Sequence, residues 1–228
     1  MTCVLALETA TAACSAAIWL DGSVFEEYRI VPRRHNDEIL GMVDRVTAAA
    51  GVTQRQLDGV AVGVGPGSFT GLRIGVGVAQ GIAFAMDIPT MPISTLRAIA
   101  ARAYREYQLH YVLALLDARR DEVYWGAYED TVALTRESAS RSVDVVLPSL
   151  GEWSACGPGC ELGVFSQSVR ERLVSVKADL FPTAWDVATL GASALANGET
   201  LAPHEIEPIY LSGRAGWKTL SRQQRSDG

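Results

Sequence analysis

The first thirty residues alternate apolar runs with short polar segments, a pattern typical of consecutive β-strands. Apolar runs cover residues 3–7 and 14–20, and Asp21-Gly22 follows the second run. This dipeptide favours a type I′ hairpin turn, because both central positions of that turn have positive φ. A third run covers residues 23–31. We therefore predict an antiparallel meander of three strands.

Helical spacing begins after the meander. Apolar residues recur at intervals of three and four over residues 36–50, with Asn36 as the predicted N-cap and Gly51 as the residue that ends the helix. The pattern beyond it predicts a strand, a helix, a strand and a helix over residues 59–64, 70–86, 88–93 and 95–107. The order βββαβαβα predicts a mixed sheet with helices packed on its faces.

The second half of the chain starts in the same way as the first. An apolar strand over residues 111–116 and an alternating strand over residues 122–128 repeat the strand–turn–strand opening. The periodicity is weak over residues 131–182, and a helix and a linker then follow over residues 184–197 and 201–208. We predict two subdomains, residues 1–107 and residues 108–228.

A glycine-rich loop, GPGSFTGLRIG at residues 65–75, joins a predicted strand to a helix. Such a loop exposes backbone N–H groups beside a helix N-terminus, where anions bind. The loop lacks the lysine of a P-loop, and its glycines miss the dinucleotide-binding spacing by one residue. Two interpretations stay open: a nucleotide contact through Gly67, Ser68 and the strand-end carboxylate of Glu8, or a tight turn that seats the helix.

The helix after this loop is rich in glycine, and each glycine in a helix interior costs about 1 kcal/mol relative to alanine. At 100° per residue the small residues form two stripes, Gly71, Gly75 and Ala79 on one side and Gly77, Gly81 and Ala85 on the other. Close approach of another backbone is the expected compensation. We therefore expect one side of the helix to contact the sheet and another side to contact a partner.

Composition narrows the function classes. The 228 residues are 48% hydrophobic and 20% charged, a composition typical of a globular protein. The net charge of -6 is unlike that of a nucleic-acid binder that acts alone. Four cysteines do not make a disulfide scaffold at this length, and no residue cluster has metal-ligand spacing. The most apolar stretch, residues 71–86, is too short to span a bilayer. We expect a cytoplasmic protein with no membrane contact.

Four segments together resemble the TsaB (YeaZ) family: LALETAT, GPGSFTGLRIG, LDARRDEVY and EPIYL, at residues 5–11, 65–75, 116–124 and 207–211. The resemblance covers essentially the whole chain. It implies an α/β, actin-like fold (ASKHA, ribonuclease H-like) of two subdomains. It also implies a role in forming N6-threonylcarbamoyladenosine beside the anticodon of tRNAs that read codons starting with A. The family usually carries Asp where this chain has Glu8, which argues against a nucleotide role there.

The resemblance further implies the partners. A TsaD-like catalytic subunit transfers threonylcarbamoyl from threonylcarbamoyl-AMP, a TsaE-like ATPase joins the complex, and tRNA is reached only through it. TsaD relatives carry a metal-binding His-x-x-x-His, and the matching positions here are Thr95 and Ile99. Isoleucine cannot bind a metal and threonine is a poor ligand. We therefore expect a non-catalytic subunit without a cofactor of its own, with ATP and a metal on the partner subunits.

The resemblance also implies that the two helices predicted over residues 36–50 and 70–86 mediate a homodimer in isolation and the heterodimer with TsaD. The residues expected to contact the partner are Ile39, Met42, Val46, Gly71, Gly75 and Ala79. On this assignment Gly75→Leu blocks partner binding and leaves the fold intact. The alternative function is an autonomous ATP-dependent small-molecule kinase of the same fold class, in which Glu8 and Asp117 hold the metal-nucleotide.

Overall fold

The computed structural model describes residues 1–149, 151–162 and 164–211. The first sheet contains the strands β1 Cys3–Glu8, β2 Ala13–Leu20, β3 Ser23–Ile30, β4 Gly59–Gly65 and β5 Thr90–Ser94, in the order β3-β2-β1-β4-β5. The first three strands pair antiparallel, and β4 and β5 run parallel to β1. Asp21 and Gly22 have φ of 45° and 95°, so the predicted meander and its turn are confirmed.

Three helices belong to this half: α1 His35–Ala50, α2 Phe69–Met86 and α3 Thr95–Tyr107. Helices α1 and α2 share one hydrophobic core with the first sheet. Helix α1 ends at Gly51 in the left-handed conformation, as predicted. The predicted N-cap is wrong: Arg34 occupies the cap position without a side-chain cap bond, and Asn36 lies inside the first turn.

The second sheet contains β6 Tyr111–Arg119, β7 Glu122–Glu129, β8 Val132–Ala133, β9 Ser138–Arg141, β10 Trp153–Cys156 and β11 Leu173–Lys177. Its order is β11-β10-β6-β7-β8, with β9 also paired to β7, and a short helix, α4 Gln167–Arg170, precedes β11. An antiparallel pair followed by two parallel strands repeats the arrangement of the first sheet. The weak repeat in the sequence therefore corresponds to a real structural repeat.

The last helix, α5 Ala184–Ala196, packs against the first sheet and not the second. The backbone N–H of Ala184 donates to the Ser15 hydroxyl across 2.8 Å, and a Cβ on Gly191 would lie 2.4 Å from the Ala61 Cβ. The predicted boundary after residue 107 separates the two sheets, but α5 crosses back over it. Residues 212–228 of the predicted second subdomain lie outside the described residues.

The segment after α5 stays on the same unit. Leu201 forms a β-bridge with Thr90, and the backbone N–H of Ile209 donates to the Val64 carbonyl across 2.7 Å. The predicted linker over residues 201–208 is therefore part of the surface of the first sheet. Two mixed sheets flanked by helices confirm the predicted actin-like α/β fold.

Candidate functional site at the glycine-rich loop and helix α2

The turn between β1 and β2 lies directly on the glycine-rich loop. The backbone N–H of Ser68 donates to the Ala10 carbonyl across 2.7 Å, and the Thr9 hydroxyl donates to the Gly71 carbonyl across 2.8 Å. The Ser68 hydroxyl accepts from the backbone N–H of Gly71 and caps α2. These bonds join the first turn of the protein to the start of α2.

Three glycines of the loop and helix make this contact sterically feasible. A Cβ on Gly67 would lie 2.5 Å from the Ala10 carbonyl oxygen, and one on Gly71 would lie 2.0 Å from that of Thr9. On Gly75 it would lie 2.3 Å from the Thr9 hydroxyl. These distances support the interpretation of the motif as a tight seat for the helix. The nucleotide contact expected at Gly67 and Ser68 stays a prediction, and both residues are engaged within the chain.

Glu8 is fully buried at the end of β1 and supports the same turn. Its Oε1 accepts from the backbone N–H of Ala10 across 2.6 Å, and its Oε2 accepts from the Thr95 hydroxyl across 3.5 Å. The carboxylate lies against Gly63, where a Cβ would be 2.1 Å from Oε2. Burial raises the pKa of Glu8 to about 7, although hydrogen bonds from the Ala10 and Thr9 backbones lower it.

The two positions that the resemblance matches to the metal-binding histidines of TsaD relatives, Thr95 and Ile99, are buried. Thr95 begins α3 and faces Glu8, while Ile99 belongs to the core between α3 and the second sheet. Asp117, the other acid of the kinase alternative, is exposed, and its Oδ1 accepts from the Arg119 backbone N–H across 2.6 Å. Across the described ranges, no three His, Cys, Asp or Glu side chains are grouped to bind a metal ion.

The structure overturns the predicted partner-contact residues. Ile39, Met42 and Val46 are 1%, 0% and 3% exposed and form the core beneath α1. The other three expected contacts, Gly71, Gly75 and Ala79, are buried on the face of α2 that meets its own chain. Helical periodicity allowed either glycine stripe to face inwards. The close packing of α2 against the β1–β2 turn selects the stripe of Gly71 and Gly75. Gly75→Leu would therefore disrupt the fold itself.

The opposite stripe of α2 is open. Within the described chain, a Cβ on Gly77 or Gly81 would have no heavy atom within 4 Å. Phe84, one turn further along, is 79% exposed, and Leu40 is an exposed apolar residue on α1. This second glycine stripe is visible in the sequence, whereas Phe84 and Leu40 fall outside the core-facing series and no sequence pattern marks them as exposed. We call Gly77, Gly81 and Phe84 the α2 surface.

A groove of about 450 Å³ lies beside the α2 surface, between the starts of α1 and α2. Its walls include Asn36, Phe69, Arg73 and Val78.

Helix α2 has 18 residues and a mean hydropathy of 1.3, so by length and composition it could cross a membrane, contrary to the expectation from the sequence. The core helix of a soluble protein can have the same length and composition, and α2 packs by one side against its own sheet.

Residues 27–159 match the family model described as TsaD, tRNA N6-adenosine threonylcarbamoyltransferase. The tRNA threonylcarbamoyladenosine biosynthesis protein TsaB of Escherichia coli K12 is 35% identical over 225 residues, covering 95% of this chain and 97% of the relative. TsaB of Haemophilus influenzae is 35% identical over 228 residues, covering 95% and 96%. The chain belongs to the TsaB (YeaZ) family.

Solved structures agree. YeaZ from Pseudomonas aeruginosa superposes with a TM-score of 0.85 at 37% identity, covering 92% of this chain and 100% of that one. A second structure from the same organism, described as an uncharacterized protein with similarity to peptidase YeaZ, gives the same TM-score and identity and covers 93% and 100%. The predicted family and fold are confirmed, and TsaB membership places the chain in tRNA threonylcarbamoyladenosine biosynthesis.

Proposed function

We propose that the chain is a non-catalytic subunit that binds and activates a TsaD-type threonylcarbamoyltransferase in the cytoplasm. The partner transfers threonylcarbamoyl from threonylcarbamoyl-AMP to N6 of the adenosine 3′ of the anticodon. A TsaE-like ATPase joins through the complex, and ATP and a metal ion are held by those partner subunits. The observation that carries the proposal is the open glycine stripe of α2.

Gly77 and Gly81 each lower helix stability by about 1 kcal/mol relative to alanine. In Gly71 and Gly75 the same cost is offset by close packing within the chain, but Gly77 and Gly81 have open space around them. The backbone of a partner helix at close range would supply the missing contact. Phe84, which is exposed on the same side of α2, would then be buried as an apolar anchor.

The same surface accounts for two assemblies. In the free chain, two copies pair through the α2 surface with two-fold symmetry, because such an interface is self-complementary. A TsaD-type subunit of the same fold replaces one copy and buries the same apolar area. Thr95, Ile99 and the engaged Glu8 support the non-catalytic assignment, since their side chains serve packing and a turn within this chain.

Gly81→Leu tests the proposal, because the new side chain projects into open space and leaves the monomer folded. We expect the variant to lose co-elution with a TsaD-type subunit on gel filtration and to lose stimulation of tRNA modification. Ala196→Leu, at an exposed position on α5, is the matched control and should retain both. Full partner binding by Gly81→Leu would refute the assignment of this surface.

A further inference from the structure

Arg73 is the only charged residue in α2, and it lies on the open side of the helix. It precedes Gly77 by four residues and Gly81 by eight, so the three residues belong to one row along the helix surface. The side of α2 that we propose to contact a partner therefore begins with an exposed positive charge and continues along two bare glycines.

The neighbours of Arg73 hold its guanidinium in place without neutralising it. The guanidinium lies 4.0 Å from the centre of the Phe69 ring, and its Nε donates to the Tyr210 hydroxyl across 3.3 Å. Arg73 forms no ion pair with any residue in the ranges that the structure describes. An aromatic ring and a phenol fix the position of the cation and leave its charge uncompensated.

The groove of about 450 Å³ beside the α2 surface opens at this cation. Arg73 lines it together with Phe69, Ile74 and Val78, and Gly77 belongs both to the groove and to the α2 surface. A partner that covers the α2 surface therefore also covers the groove. If that partner were apolar here, the guanidinium would be buried without a counter-charge, which is strongly unfavourable.

We propose that the TsaD-type subunit places a carboxylate side chain, Asp or Glu, in this groove and pairs it with Arg73. This inference rests on the proposed function, because the groove is covered only if the α2 surface binds the partner. Within the described chain Nε of Arg73 faces Tyr210, which leaves the two terminal nitrogens for a bidentate bond to the carboxylate. Stacking on Phe69 already restricts the side chain, so less conformational entropy is lost on binding.

The carboxylate would distinguish the heterodimer from the homodimer. Helix α2 contains no acidic residue, so two copies paired through their α2 surfaces bring two guanidinium groups to the interface and no carboxylate from either α2. A partner that supplies the carboxylate is preferred over a second copy. Phosphates of RNA fit this place less well, because Asp37 is exposed next to Asn36 on the groove wall and the protein has a net charge of -6.

The test measures binding of the full chain to a purified TsaD-type subunit by calorimetry, in the absence of tRNA. The variants are Arg73→Gln, which removes the charge, and Arg73→Glu, which reverses it. Arg170→Gln is the matched control, because it removes the same charge from an exposed helical position on α4, next to the second sheet. Urea unfolding of the free variants checks that each retains the fold.

We expect Arg73→Gln to bind at least about tenfold more weakly, Arg73→Glu to bind more weakly still, and Arg170→Gln to match the unmodified chain. Equal affinity of Arg73→Gln and Arg170→Gln would overturn the inference and leave the proposed function standing. If Arg73→Gln instead kept its partner affinity and weakened only tRNA binding by the complex, Arg73 would contact RNA and the inference would also be wrong. Failure of the unmodified chain to bind the TsaD-type subunit would refute the proposed function separately.

A rescue experiment identifies the carboxylate itself. Each Asp and Glu of the TsaD-type subunit that becomes protected from solvent in the complex is changed to Arg in turn. One of these changes should restore binding to Arg73→Glu and weaken binding to the unmodified chain, and restoration by none of them would overturn the pair. Self-association of the free chain, measured by analytical ultracentrifugation, should be no weaker in Arg73→Gln. An equal loss in the homodimer would show that the contact does not select the partner.

Discussion

The Thr9 hydroxyl donates to the Gly71 carbonyl across 2.8 Å, while a Cβ on Gly71 would lie only 2.0 Å from the carbonyl oxygen of Thr9. The two backbones are therefore as close as a glycine allows. This contact links the end of β1 to the beginning of α2 and determines which side of the helix faces the sheet. The other side, with Gly77 and Gly81, is open, and it is the side that we propose to contact a partner.

Gly71→Ala should destabilise the chain by about 2–3 kcal/mol, because the added methyl group overpacks against the Thr9 backbone, which cannot move independently of β1. Urea unfolding followed by circular dichroism measures the effect. The matched control is Gly77→Ala, which adds a methyl group in open space on the same helix. Gly22→Ala would not serve, because the positive φ of Gly22 would strain an alanine. Equal stability of Gly71→Ala and the unmodified chain would contradict the close packing of Gly71 against the Thr9 backbone.

Gly77→Ala should act in opposite directions on stability and binding. At concentrations where the free chain is monomeric, we expect its free energy of unfolding to rise by about 1 kcal/mol from improved helix propensity. Affinity for a TsaD-type subunit, measured by calorimetry, should fall, because the methyl group separates the two helices. A variant that gained stability and kept full affinity would show that this stripe does not contact the partner.

Glu8 should make the stability of the protein depend on pH. Its folded pKa of about 7 lies above the ordinary value of 4.5, so the folded state binds the proton more tightly. The contribution of Glu8 to stability is therefore greatest below about pH 4.5 and decreases as the pH rises to about 7, by about 3 kcal/mol in total. In Glu8→Gln, which keeps an acceptor for Ala10, this decrease between pH 5 and pH 7 should largely disappear.

Unfolding curves of both proteins at pH 5, 6, 7 and 8 provide the measurement. Glu26, whose pKa is also raised chiefly by burial, contributes a change of the same sign in both proteins and cancels in the comparison. Parallel pH profiles for the unmodified chain and Glu8→Gln would mean that Glu8 keeps its ordinary pKa in the fold.

Asp186→Ala should cost about 3 kcal/mol, because Asp186 is buried on α5 and pairs with Arg105 on α3. Nε and a terminal nitrogen of Arg105 donate to its two carboxylate oxygens across 2.9 and 3.0 Å. The exposed pair of His110 and Asp130 offers a control: Asp130→Asn removes the charge, tolerates the positive φ of residue 130, and should change the free energy of unfolding by less than about 1 kcal/mol. Similar losses in both variants would argue against a role of the buried pair in docking α5.

The local elements were largely predictable, since each depends on neighbours in the sequence. The type I′ turn at Asp21-Gly22 and the end of α1 at Gly51 both follow from backbone preferences of single residues. The four segments that resemble the TsaB family were equally recognisable in the sequence. The N-cap of α1 was not, because Arg34 holds that position without a side-chain bond and nothing marks it in the sequence.

The amino-acid sequence by itself determined the order of strands and helices up to residue 128, the repeated strand pair and the membership of the TsaB family. Only the tertiary structure decided which glycine stripe of α2 is buried. The stripe that contains Gly75 and the stripe that contains Gly77 have the same helical spacing and differ only in what lies opposite them. It also decided that α5 returns to the first sheet and that Glu8 holds a turn. Both depend on contacts between residues far apart in the chain, which local patterns do not encode.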